Sequence, residues 1–213
     1  MRFDDARRHL ERLPDALPSG PLTLDPEILA TGAEAPAWVR RGIDGPARDA
    51  AVLVLVYPDR TGQATLVLTM RPEGDLRHAG QISFPGGAAD PGDDFPEGTA
   101  LREASEEVGL DPVAAGVRVV GRLELVDVRV SGFLLVPVVA LAAREPVLRP
   151  DPREVAAILH VSVDHFLPQA PIEIVEAERD GWRMRYGAFP VGEHRIWGAT
   201  ARVLGQLGAV LGS

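Results

Sequence analysis

The sequence predicts an α/β protein, with helices covering both faces of a mixed sheet. Three observations point there. Two apolar runs, 50–57 and 64–70, flank Pro58-Asp59-Arg60-Thr61-Gly62 and read as a β-hairpin. A helical segment follows in which Leu101, Ala104 and Val108 share one side and charged residues the other. Two further β-rich runs, 117–127 and 132–142, precede a helix that closes the chain from about Trp197 to Leu211. Hairpins with one-sided helices outside them bury their apolar faces best as an α/β/α sandwich.

The remaining elements follow in chain order. Residues 2–12 have Phe3, Ala6, Leu10 and Leu13 near helical spacing and form a short amphipathic helix. From Pro14 to Pro46 there are six prolines in 33 residues, so this stretch is expected to run extended over the surface. Residues 1–46 are therefore a helix and arm packed on a domain of residues 47–213. The acidic helix is expected to begin near Asp94, which with Glu97 has capping-box character. It should end at Gly109, ahead of Asp111-Pro112. Residues 154–163 fit strand or helix equally, and 172–178 with 182–189 flank Arg179-Asp180-Gly181 as a second hairpin.

Composition narrows the function classes. The 213 residues suit one well-filled domain. There is no cysteine, so neither a disulfide nor a thiolate metal site exists. A net charge of −9 argues against non-specific nucleic-acid binding, which draws its affinity from neutralised phosphates. The longest apolar run, 132–143, is too short for a membrane span and contains Pro137. Asp4, Asp5 and Glu11 near the start do not suit a signal peptide, so the cytoplasm is the expected compartment. The Pro-rich arm could exchange between the subunits of a homodimer.

The chemistry concentrates in residues 86–110. Glu103, Glu106 and Glu107 fall within a sector of roughly 100° on one helix face, behind Gly86-Gly87. A cluster of acids is most often a solvated face. Here, though, a hard divalent cation would convert the mutual repulsion into a site, because Mg²⁺ takes carboxylate oxygens together with water and substrate phosphate.

Arg102-Glu103-Ala104-Ser105-Glu106-Glu107-Val108-Gly109-Leu110 resembles the second half of the Nudix box, Arg-Glu-apolar-x-Glu-Glu-x-Gly-apolar. The first half departs from the family pattern. Counted from Gly87, its acidic position is Asp93 rather than Glu, and eight residues instead of seven separate it from Arg102. Upstream, Leu66-Val67-Leu68-Thr69-Met70-Arg71-Pro72 and Leu76-Arg77-His78-Ala79-Gly80-Gln81-Ile82-Ser83-Phe84-Pro85-Gly86-Gly87 resemble the signature that precedes the box in the coenzyme A pyrophosphatase branch. Val67 and Pro72 are mild departures. Ile196-Trp197-Gly198-Ala199-Thr200-Ala201 is similar to another stretch of that branch.

This resemblance implies a Nudix α/β/α sandwich around a mixed sheet, and Mg²⁺- or Mn²⁺-dependent hydrolysis of the pyrophosphate of coenzyme A or a derivative. It assigns Glu103, Glu106 and Glu107 as metal ligands, with Glu103 and Glu106 in the catalytic set and Arg102 as an ion-pair partner orienting a glutamate. The general base in this superfamily often comes from a distant loop; Glu154 is the first candidate and Glu124 the second. Arg71, Arg77 and His78, with Gly86 and Gly87, are candidates for holding the phosphates of a coenzyme A-like nucleotide. His160, His165 and His194 show no ligand spacing, and Trp197 reads as core packing. The alternatives are a Nudix pyrophosphatase acting on ADP-ribose, dinucleotides or nucleoside triphosphates, and a non-catalytic Nudix-fold binding module.

Overall fold

The computed structural model describes residues 1–31, 47–72, 80–128, 131–179 and 181–213. Its centre is strand β2 (Arg48–Pro58), whose residues 50–57 are buried throughout. It pairs antiparallel with β3 (Ala64–Met70) across the expected hairpin, antiparallel with β5 (Gly86–Ala88), and parallel with β8 (Phe133–Ala142). The main path runs β4 (Ile82–Ser83), β3, β2, β8, β6 (Val117–Arg122). The run expected at 117–127 breaks at Leu123, and its second part, β7 (Val126–Val128), also lies along β8.

The period-two alternation of β2 sorts its side chains between two cores. Ala51, Leu53, Leu55 and Tyr57 pack with Ala100, Ala104 and Val108 of helix α2 (Glu97–Val108). Val52, Val54 and Val56 pack on the other face with Leu204 and Leu207 of helix α4 (Gly198–Leu211), and with Ala6 and Leu10 of helix α1 (Phe3–Leu10). A short helix, α3 (Pro112–Ala115), follows α2. The layered α/β architecture is thus the one expected. Each fully buried Val or Leu side chain contributes about 1.5–3 kcal/mol relative to exposure.

Three details differ from the sequence reading. Helix α2 begins at Glu97, and its N-terminus has no side-chain cap; Glu97 instead receives two hydrogen bonds from Arg122, at 2.7 and 2.9 Å. A partner distant in sequence thus outcompetes the local capping box. Within 154–163, where the sequence leaves strand and helix both open, residues 157–162 form a strand: β9 (Ala157–Ser162) pairs antiparallel along β3, giving that strand a partner over residues 65–70. The hairpin of β10 (Glu173–Arg179) and β11 (Trp182–Val191) forms, but in a second sheet of four strands. There β1 (Glu27–Ala30), from the Pro-rich arm, pairs with one part of β11, and β12 (His194–Ile196) with its end. Hairpin pairing is local and legible, whereas the strand lying across it comes from far away in the chain. Residues 32–46 of the arm lie outside the described residues.

The expected C-cap is present. Gly109 has φ 63° and ψ 29°, and its N–H donates to the Ser105 carbonyl at 3.1 Å, closing the helix with the αL motif.

Candidate active site

Strand β5 is the seam between α2 and the rest of the site. Gly87 lies so near Glu103 that a Cβ there would stand 2.6 Å from the carboxylate carbon. Gly86 faces β2, where a Cβ would meet the Ala51 carbonyl oxygen at 2.3 Å, and its N–H donates to Glu107 Oε2 at 3.1 Å. Close approach to backbone requires the glycine at 86, which lets the strand sit on the sheet; at 87 the missing Cβ lets the Glu103 carboxylate sit on the strand.

The three glutamates share a helix face but differ in environment. Glu107 is 6% exposed, and burial pushes its carboxyl up to about 7. The Gly86 N–H and the Arg71 charge pull the other way, while the charges of Glu103 and Glu154 add to the rise. Glu103 is also raised, by burial first, against the Arg102 guanidinium 2.9 Å away. Glu106 has 59% of its side chain exposed and accepts from Arg102 at 3.2 Å.

Arg102 is the hub of this face. Its Nε donates to both oxygens of Asp93, at 3.1 and 3.3 Å, and its Nη2 donates to Asp93 at 3.0 Å and to the Ala88 carbonyl at 3.1 Å. The other end of the guanidinium meets Glu103 and Glu106. Asp93 also accepts from the Thr99 hydroxyl at 2.8 Å and the Asp90 N–H at 3.1 Å. These bonds, those of Arg102 foremost, hold its carboxyl far below the usual carboxylate range. The acid that departs from the box pattern in type and spacing therefore anchors the arginine, tying the loop to the helix and, through Ala88, to β5. Sequence reasoning left Asp93 without a role; its signal was an acid at that place in the box, nine residues before Arg102.

Glu154 lies on an exposed turn tied to the end of α2. The Asp151 N–H donates to the Glu107 carbonyl at 2.8 Å, and the Glu154 N–H donates to the Asp151 carbonyl at 3.0 Å. Its charge acts on both Glu103 and Glu107. Glu124 lies elsewhere, beside a small cavity with Asp25 and Arg202. Arg71 follows β3, with its N–H bonded to the Gln81 carbonyl at 3.0 Å. Arg77 and His78 lie outside the described residues.

A cleft of about 540 Å³ opens along the seam, with Arg71, Gly86 and Gly87 in its wall. Trp197 corrects the sequence reading. It does not pack in the core but is 41% exposed, leans on Tyr186 at 5.1 Å between ring centroids, and lines this cleft. Its neighbour Ile196 fills the core position instead, at 1% exposure, so strand alternation turns the indole outward.

The NUDIX domain family matches residues 47–181, more than half of the chain. The chain belongs to the Nudix family. It is 39% identical over 160 residues to the uncharacterized Nudix hydrolase NudL of Pectobacterium atrosepticum, covering 75% of this chain and 81% of that protein. It is 34% identical over 194 residues to the protein of the same name from Cronobacter sakazakii, covering 91% and 97%. A solved Nudix hydrolase from M. smegmatis, RenU, is similar at a TM-score of 0.46 and 27% identity, over 57% of this chain and 74% of that one.

This Nudix hydrolase offers carboxylate oxygens alone on its acidic face, the donor type a hard divalent cation takes. A cation beside Glu107 would favour the charged form that burial disfavours. As the side chains stand, no three His, Asp or Glu side chains among the described residues converge as a metal-holding group. Arg102 draws Glu103 and Glu106 to itself, and Glu107 turns to Gly86. The donor set fits the metal by its chemistry, three carboxylates carried by one helix.

Proposed function

We propose that this Nudix hydrolase cleaves the pyrophosphate of coenzyme A or a derivative with Mg²⁺ or Mn²⁺, giving 4′-phosphopantetheine, or its acyl form, and adenosine 3′,5′-bisphosphate. The observation that carries the hydrolytic reading is the pair of inward carboxylates, Glu103 and Glu107, set against two glycines at the wall of a cleft that also holds Arg71. Glu103, Glu106 and Glu107 would hold the cation. When bound, it would lower the pKa of a coordinated water and offset phosphate charge. Arg102, fixed by Asp93, holds Glu103 and Glu106 in register. Glu154, whose charge acts on both inward glutamates, would accept the proton of the attacking water. Arg71 supplies a guanidinium to the phosphates.

Coenzyme A as substrate is supported by the motifs at residues 66–87 and 196–201. The retained glutamates favour turnover over a binding module. A cytoplasmic setting and a homodimer belong to the same reading, and light scattering tests the second.

The deciding experiment is mass spectrometry of products formed from coenzyme A in ¹⁸O-water with divalent metal, beside ADP-ribose, a dinucleotide and a nucleoside triphosphate. Label in one of the two expected products identifies the phosphorus attacked. Equal turnover with and without the 3′-phosphate would remove coenzyme A in favour of the wider pyrophosphatase reading.

A further inference from the structure

The cleft beyond the glycine seam contains a cation and an aromatic plate that the hydrolytic reading does not use. Arg48 and Phe133 are register partners across the parallel pair β2–β8, and the Arg48 guanidinium lies over the Phe133 ring, 4.3 Å from its centroid. A guanidinium stacked by its face keeps the N–H donors at its edge available, in the planar fork that matches a phosphate. Among the described residues, Arg48 and Arg71 are the charged side chains of the cleft wall, in a protein of net charge −9. Arg71 shares its stretch of wall with Gly86 and Gly87, against which Glu107 and Glu103 sit, so it belongs to the scissile end. Arg48 is the other cation.

The uncharged polar groups of the wall are largely occupied. Thr200 donates to the Ile82 carbonyl at 3.1 Å, Ser131 to the Val128 carbonyl at 3.2 Å, and the Ser83 hydroxyl meets Thr69 at 3.2 Å. These hydroxyls are already held by the protein, so stacking and charge are the strongest contacts the described wall offers. Trp197 supplies the stacking surface: Tyr186 supports the ring, which reaches the cleft from the start of α4.

We propose that this cleft takes the nucleoside half of the substrate, with the base on Trp197 and a ribose phosphate, separate from the cleaved pyrophosphate, on Arg48. The inference rests on the pyrophosphatase reading for the role of Arg71, and it makes Arg48 the residue that distinguishes a 3′-phosphonucleotide from a plain one. Trp197, by contrast, serves any base.

Calorimetric binding of adenosine 3′,5′-bisphosphate and of AMP tests this without turnover. The unaltered protein should bind the bisphosphate at least about tenfold more tightly, as expected for charge-assisted bonds to a phosphate. Arg48→Met, which keeps an apolar stem over Phe133, should bring the ratio of the two affinities to about one, and Arg48→Lys should leave it intermediate. Trp197→Leu should weaken both ligands by roughly tenfold and keep the ratio. Thermal melts of each variant establish that the fold is retained. A ratio of one in the unaltered protein, or a ratio that survives Arg48→Met, overturns the assignment of Arg48. Unchanged affinities in Trp197→Leu overturn the stacking platform. If coenzyme A is not hydrolysed while the ratio behaves as stated, the substrate reading fails and the nucleotide site stands.

Discussion

Glu103, Glu106 and Glu107 occupy one helix face in three different environments, so the same substitution acts differently at each. Glu106→Gln changes an exposed side chain, and its effect on stability should stay within about 0.5 kcal/mol. If Glu106 holds the cation, turnover should fall by roughly a hundredfold or more, measured as kcat on coenzyme A at saturating Mn²⁺. Full activity in that variant removes the site assignment. Glu107 is the converse. Its carboxyl is raised from an ordinary 4.5 to about 7 by burial, so the metal-free folded state holds a proton that the unfolded chain has released between those values. The associated stability is complete below about pH 4.5 and lost as pH rises through about 7, a change on the order of 3 kcal/mol. Glu107→Gln stays neutral throughout. With EDTA present, the variant should therefore melt close to the wild type at pH 4.5 and clearly above it at pH 8, whereas Mn²⁺ should stabilise the wild type more at pH 8 than at pH 6. A melting difference that does not change with pH would contradict the buried, proton-holding state. The sequence displayed these three acids as equivalents. Their grading comes from Gly86, Gly87 and the Asp151 turn, which reach the helix from elsewhere in the chain.

Elements whose determinants are local were readable from sequence. The β2–β3 hairpin, the end of α2 at Gly109 and the β10–β11 hairpin each depend on residues a few positions apart. The start of α2 was not, because Arg122 takes Glu97. Trp197 was not, because whether an aromatic at a helix start faces core or cleft is set by which neighbour the sheet buries. The glycines of α4 carry a similar message. A Cβ on Gly208 would stand 1.7 Å from the Phe166 carbonyl oxygen, and on Gly205 2.5 Å from Leu24 Cδ1. By helix propensity alone, Gly208→Ala should stabilise by about 1 kcal/mol. The contact with backbone cannot be relieved by a rotamer change, and overpacking of this kind costs roughly 3 kcal/mol. The net effect should be destabilising, and thermal denaturation should show a fall of several degrees. An unchanged or higher melting point would mean that α4 does not sit this close to the Phe166 turn.

At the scale of the whole molecule, protection follows coverage. Strand β2 is packed on both faces and paired with β3, β5 and β8, whereas β10 is an edge strand with β11 as its partner in the sheet. Hydrogen exchange should accordingly be slowest in β2 and β8 and fastest, among the strands, in β10 and β1. Equal protection across both sheets would show that the smaller one opens only with the larger. The parallel pairing of β2 with β8 has a further consequence. The acids of the box, from Asp93 to Glu107, are made between those two strands, yet β8 supplies Val138 and Ala140 beneath the helix and Phe133 in the cleft. A nascent chain stalled on the ribosome before residue 133 would carry every glutamate of the box with half its floor missing, so the acidic helix is seated only when a strand made later slides in beside the first.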